Sequence, residues 1–454
     1  MREIRLHDTR RGQVVALTER DPGRVSIYAC GPTVYSRIHV GNARPFVVFS
    51  LLKRFLEHEG RAVTLVVNVT DVNDKIYEAA RAGGIPSDRL ARDMTACYRS
   101  DTDALGLGRP DHEPLASEAM ADIIDHIAIL IENGHAYVSE GDVLFRVRSD
   151  PGYGSLSRRV LEDSDQGEDV EGAQRKEDPL DFALWKAHKP EEDTAWPAPW
   201  GRGRPGWHIE CSAMAESLLG VGFDVHGGGL DLLFPHHENE AAQTRAARGT
   251  ELARVWMHNG MLELSGEKMA KSVGNIAPLH AVLAEYGRAA VLMYLCGAHY
   301  RQPIAFGPAP LAQARASLAR LREVARRLDR APSPADMAGL RDRFLDALAD
   351  DFNTPQALAA MFDWVREANR RAPGTGDSHL REMLALLGLE ELVDDPGASE
   401  GAPDPDALAL LQRREQARAR CDFATADAVR DQLRRQGWEV RDGPDGPILV
   451  VGQR

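Results

Sequence analysis

The chain contains no apolar run approaching the ~18 residues that a membrane-crossing helix needs, and its opening stretch, MREIRLHDTR, has no hydrophobic centre of the kind a secretory signal carries. Neither export nor membrane insertion is expected, and the chain reads as soluble and cytoplasmic. Cysteine is scarce. Cys30, Cys97, Cys211, Cys296 and Cys421 are odd in number and scattered, which argues against a disulfide framework while leaving thiol or metal chemistry open. Positive charge is in deficit, with 55 Lys and Arg against 69 Asp and Glu, a formal charge of -14. Polyanion binding by the whole surface is thereby excluded, and a nucleic acid would have to be met on local basic strips. Internal repeats are absent too. What is present is globular: 43% hydrophobic and 27% charged residues over 454 positions, enough for about three domains at ~150 residues each.

Residues 25–30 (VSIYAC) read as a buried strand. The stretch after Gly41 reads as a helix with Pro45 in its first turn and Gly60 at its end, and residues 63–69 (VTLVVNV) as a second strand. A strand, loop, helix, strand order with hydrophobic strands opens a doubly wound, Rossmann-like parallel sheet within 1–110. The pattern changes over 111–200, which is read as a connective insertion, and apolar strand-like pieces return at 222–226 and 255–264. The catalytic α/β domain is therefore split, with its second half at 201–301. Residues 302–393 read as an amphipathic helical bundle, 394–406 (DDPGASEGAPDPD) as a linker, and 407–454 as a small α+β unit with an Arg-rich helical stretch.

Two short signatures flank the split domain. His39-Val40-Gly41-Asn42 lies between the first strand and its helix, where free backbone N–H groups and the helix dipole favour an anion; Gly41 permits close backbone approach and His39 can donate to a phosphate. Lys268-Met269-Ala270-Lys271-Ser272 lies about 230 positions later, in a loop with Gly266 and Gly274, and offers two lysines to a polyphosphate. Their order, one near each end of a split parallel-sheet domain, is more informative than either alone.

HVGN and KMAKS resemble the HIGH and KMSKS motifs of class I aminoacyl-tRNA synthetases. The surrounding words, YACGPTVY (28–35), NVTDVNDKI (68–76), DFALWK (181–186), GRPGWHIECSAM (203–214) and VHGGGLDLLFPHHENE (225–240), resemble the cysteinyl-tRNA synthetase family over essentially the whole chain. Asn42 replaces the second histidine of HIGH and Ala270 the middle serine of KMSKS, with His39, Lys268 and Lys271 retained. The resemblance implies activation of cysteine with ATP and Mg²⁺ to an adenylate, then transfer to the terminal adenosine of tRNA-Cys, by a monomer. It implies catalytic roles for His39, Asn42, Lys268 and Lys271, and ATP contacts from His39, Gly41, Asp231, Lys268, Lys271 and Ser272. Gly31, Thr33 and Trp207 are the candidates for the cysteine pocket.

Two cysteines, an imidazole and a carboxylate suit zinc. The residues alone do not choose among His236, His237, Glu238 and Glu240, and they favour buried structural cysteines as the reading of Cys30 and Cys211. The resemblance assigns Cys30, Cys211, His236 and Glu240. His236 and Glu240, four apart after Pro235, are expected on one helix face. Selection of cysteine as a thiolate would then need no editing domain, for which the insertion is too short.

For tRNA, Arg322 and Arg326 in the bundle, and Arg418, Arg434 and Trp438 in the C-terminal unit, are the candidate contacts. Two other functions fit the same catalytic half: an ATP-dependent ligase joining cysteine to an amino sugar, as in the mycothiol pathway, and a non-catalytic zinc-dependent RNA-binding relative. The Arg-rich tail weighs against the first, and His39 with the two lysines against the second.

Overall fold

The computed structural model describes residues 2–160, 173–264, 267–268, 276–371, 373–394, 405–420, 422–436, 438–443 and 446–451. A hairpin of β1 (Arg5–Asp8) and β2 (Gln13–Ala16) precedes β3 (Arg24–Ala29), which is followed by α1 (Val40–His58), β4 (Ala62–Val67), α2 (Asp74–Gly83) and α3 (Ser87–Asp103). α1 begins at Val40 with His39 as its N-cap, because the Asn42 side chain accepts a hydrogen bond from the His39 N–H at 3.2 Å and closes the first turn there. Pro45 consequently falls in the second turn and forgoes one intrahelical bond.

Next come α4 (Met120–Glu132) and an antiparallel sheet of β5 (Ala136–Ser139), β6 (Asp142–Phe145), β7 (Phe182–Ala187) and β8 (Gly203–Pro205), with a core of its own that includes Ile123, Ile127, Phe145, Phe182 and Trp185. The chain then returns through α5 (Trp207–Leu219), β9 (Phe223–Gly229), α6 (Glu238–Arg248), β10 (Ala253–Asn259), β11 (Leu262–Leu264), β12 (Glu267–Lys268), α7 (Leu279–Tyr286), α8 (Arg288–Cys296) and β13 (Ile304–Phe306).

The main sheet runs β10-β9-β3-β4 with every pairing parallel. Its strands lack polar alternation because helices cover both faces. The central seam is β3 against β9, in the register Ile27 to Val225, Tyr28 to His226 and Ala29 to Gly227. It joins segments about 200 positions apart, and the buried Asp224 fixes it from one end: its carboxylate accepts from the Arg20 N–H at 2.6 Å and from the Ser26 N–H and hydroxyl at 2.8 and 2.7 Å.

The bundle consists of α9 (Pro308–Ala325), α10 (Ala338–Ala349), α11 (Thr354–Arg371), α12 (Ser378–Leu386) and the short α13 (Glu391–Asp394). One apolar core, including Phe49, Phe55, Leu292, Phe344, Met361 and Trp364, continues from α1 into it. At the α10–α11 turn, Asp351 and Phe352 take left-handed φ values of 59° and 46°, a conformation costing about 1–3 kcal/mol per non-glycine residue. Phe352 is held there by packing on Phe55 of α1, ring centroids 6.4 Å apart. The C-terminal unit pairs α14 (Pro405–Ala419) and α15 (Phe423–Arg435) with a hairpin of β14 (Trp438–Gly443) and β15 (Gly446–Val451).

Arg44 of α1 is 1% exposed, yet its guanidinium meets backbone carbonyls: Nη1 donates to the Gly260 and Met261 oxygens at 2.5 and 3.3 Å, and Nη2 to the His299 oxygen at 3.1 Å. Burial pulls its pKa down to about 10. The side chain thus ties the first half of the split domain to the two loops that flank β11 and β13. Replacing it as Arg44→Met leaves three buried carbonyls without their donor, and the unfolding free energy in urea is expected to fall by about 3 kcal/mol. A loss below about 0.5 kcal/mol would show that the carbonyls find other donors.

Candidate metal centre and catalytic cleft

In open parallel sheets, ligands bind beyond the carboxyl ends of the strands. Cys30 directly follows β3 and donates its backbone N–H to the Gly227 oxygen at 3.0 Å. The Gly31 N–H donates to Asn68 Oδ1 at 2.9 Å, and a Cβ at Gly31 would overlap the Asn68 carbonyl oxygen, so this crossing of the β3 and β4 ends demands glycine. Thr33 bridges to Thr70 across the same gap. Cys211 comes from α5. Glu240 comes from the first turn of α6, and His236 from the irregular turn at residues 233–237 just before that helix, so the expected i, i+4 contact forms across the junction.

These four side chains are buried and converge. Cys30 Sγ lies 3.7 Å from Cys211 Sγ, 3.7 Å from His236 Nε2 and 3.6 Å from Glu240 Oε1, and His236 Nε2 lies 3.1 Å from Glu240 Oε1. A tetrahedral ion at zinc bond lengths would separate its ligands by about 3.8 Å between sulfurs, about 3.5 Å from sulfur to nitrogen or oxygen, and about 3.3 Å from nitrogen to oxygen. The set fits. A second overlapping group, Cys30, His226, His237 and Glu240, is also compact, but His226 Nε2 sits 2.7 Å from Glu240 Oε2, a hydrogen-bond length, and His237 Nε2 is 4.0 Å from Glu240 Oε1. Burial pushes the Cys30 thiol well above its ordinary pKa and the His236 ring well below its own. A buried group of Cys, His and Glu able to hold a metal ion is therefore in place.

Of the surrounding histidines, the sequence reading names His237 as an alternative ligand and does not single out His208 or His258. His208 Nδ1 lies 3.0 Å from His236 Nδ1, and His237 Nδ1 lies 2.7 Å from His258 Nε2, whose pKa burial lowers to about 3. His258 Nδ1 in turn meets Thr9 Oγ1 at 2.8 Å. Such partners orient metal-binding side chains. Position is a sequence signal for His208, beside Trp207, and for His237, beside His236; His258, near the end of β10, has no candidate residue beside it. Trp207, half-buried, stacks on His236 with ring centroids 4.2 Å apart. Glu210, one residue before Cys211, is fully buried, and burial raises its carboxyl well above the ordinary range.

The residues that follow the second signature, 277–279, are brought onto the first. The Val40 N–H donates to the Ala277 oxygen at 3.0 Å, the Leu279 N–H to the Ile38 oxygen at 3.1 Å, and His39 bridges to Pro278, so the segment leaving the KMAKS loop is bonded onto HVGN. Gly41 lies in the first turn of α1 and Asn42 caps it. Asp231 is exposed in the short turn after β9. Lys268 is described in its backbone alone, on β12 opposite Glu263, while Lys271 and Ser272 lie outside the described residues. Of the tRNA candidates, Arg322 is on α9 and Arg326 at its C-cap; Arg418 and Arg434 are exposed on α14 and α15; Trp438 packs against the small core of Ala407, Val429, Leu433 and Leu449.

Residues 16–316 match the catalytic domain of class I (C) tRNA synthetases, 343–389 a DALR domain and 401–446 the cysteinyl-tRNA ligase anticodon binding domain. Among curated proteins, the chain is 48% identical to the cysteine--tRNA ligase of Alkalilimnicola ehrlichii over 94% of its own length and 95% of the relative's. It is 45% identical to that of Halorhodospira halophila over 98% of both. The chain belongs to the cysteine–tRNA ligase family. It is a class I aminoacyl-tRNA synthetase, hence an enzyme, and the fold agrees. A Mycobacterium tuberculosis methionyl-tRNA synthetase in complex with methionyl-adenylate superposes with a TM-score of 0.59 at 16% identity, over 82% of this chain and 88% of the other. An Agrobacterium radiobacter K84 LeuRS in a ternary complex with tRNA and LeuAMS gives 0.62 at 12% identity, over 85% and 86%. At these identities only the fold is shared. No helix among the described residues is long and apolar enough to cross a membrane.

In this member of the cysteine–tRNA ligase family, Gly31 is a sharp test of the site, because the atom its Cβ would strike belongs to backbone. Gly31→Ala must part the ends of β3 and β4 and carry Cys30 with them. The KM for cysteine in pyrophosphate exchange is expected to rise at least ~10-fold, in line with the sensitivity of reacting geometry to small displacements. An unchanged KM would show that the strand ends do not set the amino-acid site.

Proposed function

We propose that this class I cysteine–tRNA ligase recognises its amino acid through a zinc ion held by Cys30, Cys211, His236 and Glu240, beside an ATP site built from HVGN and the KMAKS segment. The observation that carries the reading is the near-tetrahedral spacing of those four side chains at the carboxyl end of β3, one loop away from His39. Zinc there supplies a soft partner for the sulfur of the substrate, which the neutral hydroxyl of serine does not match. An apolar pocket would separate two such small side chains by only ~1–3 kcal/mol, whereas a site that demands one particular polar partner reaches ~10⁴-fold. No editing domain is needed on that basis.

The chain's own residues then do the positioning. Trp207 walls the amino-acid pocket and steadies His236 by stacking. Gly31 and Thr33 bring backbone close to the substrate. The N–H groups at the start of α1 and His39 receive phosphate oxygens, Asp231 holds the ribose, and Lys268, Lys271 and Ser272, with Mg²⁺, stabilise charge as the cysteine carboxylate attacks the α-phosphate and pyrophosphate leaves. Arg322, Arg326, Arg418, Arg434 and Trp438 are assigned to tRNA-Cys. We take the catalytic halves as 1–110 and 201–301, the connective insertion as 111–200, the bundle as 302–393, and the anticodon unit as 407–454 after a linker at 394–406. The assignment is that of a monomer working in the cytoplasm.

Pyrophosphate exchange with cysteine and with serine, followed by charging of total tRNA, tests the reading. Exchange is expected with cysteine alone, charging by the full chain, and exchange with weak charging by a chain ending at Val393. Exchange without charging by either chain would favour the amino-sugar ligase, and no exchange the RNA-binding protein. Separately, Cys211→Ser is expected to lower bound zinc and raise the KM for cysteine together, by roughly 10²-fold or more on the scale of a lost polar partner. Normal cysteine affinity in a metal-free variant would refute recognition through the metal.

A further inference from the structure

The α10–α11 turn holds a buried carboxylate that none of the catalytic assignments uses. Asp351 is 5% exposed, and its oxygens gather donors from two other parts of the chain. Oδ1 accepts from the His7 N–H of β1 at 2.9 Å and from the Tyr300 hydroxyl at 2.7 Å. Oδ2 accepts from Arg301 through Nε at 2.8 Å and Nη2 at 2.6 Å, with His299 Nε2 at 3.5 Å. The Asp351 N–H donates to the Arg5 oxygen at 2.9 Å. Every one of these donors belongs to the catalytic half, and the carboxylate belongs to the bundle. The turn also carries two consecutive left-handed non-glycine residues, a conformation that persists only where the surroundings over-determine it.

The segment 299–301 leads directly to the cleft. The His299 oxygen receives Arg44 of α1, the Tyr300 oxygen receives the Gly260 N–H at 2.8 Å, and β13 just beyond pairs with β11, the strand that runs into β12 and the KMAKS loop. The bundle has other anchors: Arg54 donates to the Ala385 oxygen at 3.1 Å, Arg288 to the Gly388 oxygen at 2.7 Å, and Arg2 pairs with Asp346 at 2.7 Å. Loss of the Asp351 side-chain contacts would therefore leave the bundle attached, through these anchors and the shared apolar core, with its angle at this turn less tightly set. An 18-residue helix such as α11 is about 27 Å long, so a tilt of about 5° moves its far end by about 2 Å. Displacements of about 1 Å between reacting groups cost ~10²-fold in rate.

We propose that Asp351 is a positioning residue for the tRNA-dependent step: it clamps the α10–α11 turn to His7, Tyr300 and Arg301, and so fixes the angle at which the bundle presents tRNA to the adenylate. Amino-acid activation, which takes place within the catalytic half, does not depend on the clamp. The proposal rests on the reading that tRNA lies along the bundle.

The full chain is compared with Asp351→Asn, which keeps the shape and tolerates the left-handed backbone, and with Tyr300→Phe, which removes a single donor. Cysteine-dependent pyrophosphate exchange, steady-state charging of tRNA and melting temperature are measured for each. Exchange is expected to stay within about twofold, while kcat/KM for charging falls at least ~10-fold in Asp351→Asn and by a smaller factor in Tyr300→Phe, mainly through kcat. The double variant should charge no worse than Asp351→Asn, since both act through one clamp. Exchange and charging falling by the same factor, charging unchanged in Asp351→Asn, or additive losses in the double variant would each overturn the proposal. If Asp351→Asn does not fold, Tyr300→Phe decides by the same comparison of exchange with charging. Failure of the underlying tRNA reading is separately visible, because the unsubstituted chain would then not charge tRNA.

Discussion

The parallel pairing of β3 with β9 is the constraint on which the rest depends. The two strands come from opposite sides of an insertion of roughly a hundred residues, and their register of Ala29 to Gly227 decides that Cys30 emerges beside the turn that carries His236 and the helix that carries Glu240. Because side chains alternate across a sheet, a slip of one residue would turn Cys30 to the other face and dissolve the cluster. Register is protected accordingly. Asp224 grips Ser26 and the Arg20 backbone at one end of the seam, and Gly227 at the other end has no room for a side chain beside Phe49 of α1.

The same seam explains why so many titratable groups are tolerated in the core. His208, His226, His236, His237, His258 and Glu240 are all 5% exposed or less, and each would be costly there without a partner. They partner one another, and the lowered pKa values of His236, His237 and His258 keep those rings neutral, donating with one nitrogen and accepting with the other. A network of this kind is rigid only when complete. The chain begins at Thr9, passes through His258 and His237 to Cys30, and so links the N-terminal hairpin to the centre of the site.

Much of this was legible in the sequence, and what was not has a physical cause. Residues 25–30, 63–69 and 222–226 read as apolar strands since hydrophobic continuity is a local property, and they overlap β3, β4 and β9, although the GGG end of β9 went unread; HVGN and KMAKS stand out because small and polar residues at fixed places are what backbone access to an anion would require. The beginning of α1 lies two residues earlier than the sequence pattern places it, the Asn42 cap being invisible until the His39 N–H is seen to bond it. The choice of His236 over His237 was not local at all: consecutive residues differ only in which way the turn before α6 aims them. Arg44 reads as an ordinary surface cation in α1, and its burial follows from three carbonyls supplied more than 200 positions away. Asp351 likewise looks like one of many acids until β1 and residues 299–301 close around it.

Net charge bears on how an acidic chain handles an acidic partner. Residues 405–436 carry seven arginines (413, 414, 418, 420, 430, 434, 435) against five acids (406, 415, 422, 427, 431), a local excess of positive charge in a chain whose total is -14. Not all of it is available: Arg414 is buried beside Glu415, and Arg430 pairs with Asp427. Few phosphates can therefore be neutralised, and since each one contributes a roughly fixed increment to non-specific affinity and to its salt dependence, general attraction to nucleic acid is weak while the acidic body repels what does not fit. Recognition must then draw on shape and on simultaneous engagement at two separated regions, the anticodon unit and the catalytic cleft. A rigid connection between those regions is worth more to such an enzyme than additional positive charge, which is the physical reason to expect polar clamps, rather than basic patches alone, where the bundle meets the catalytic half.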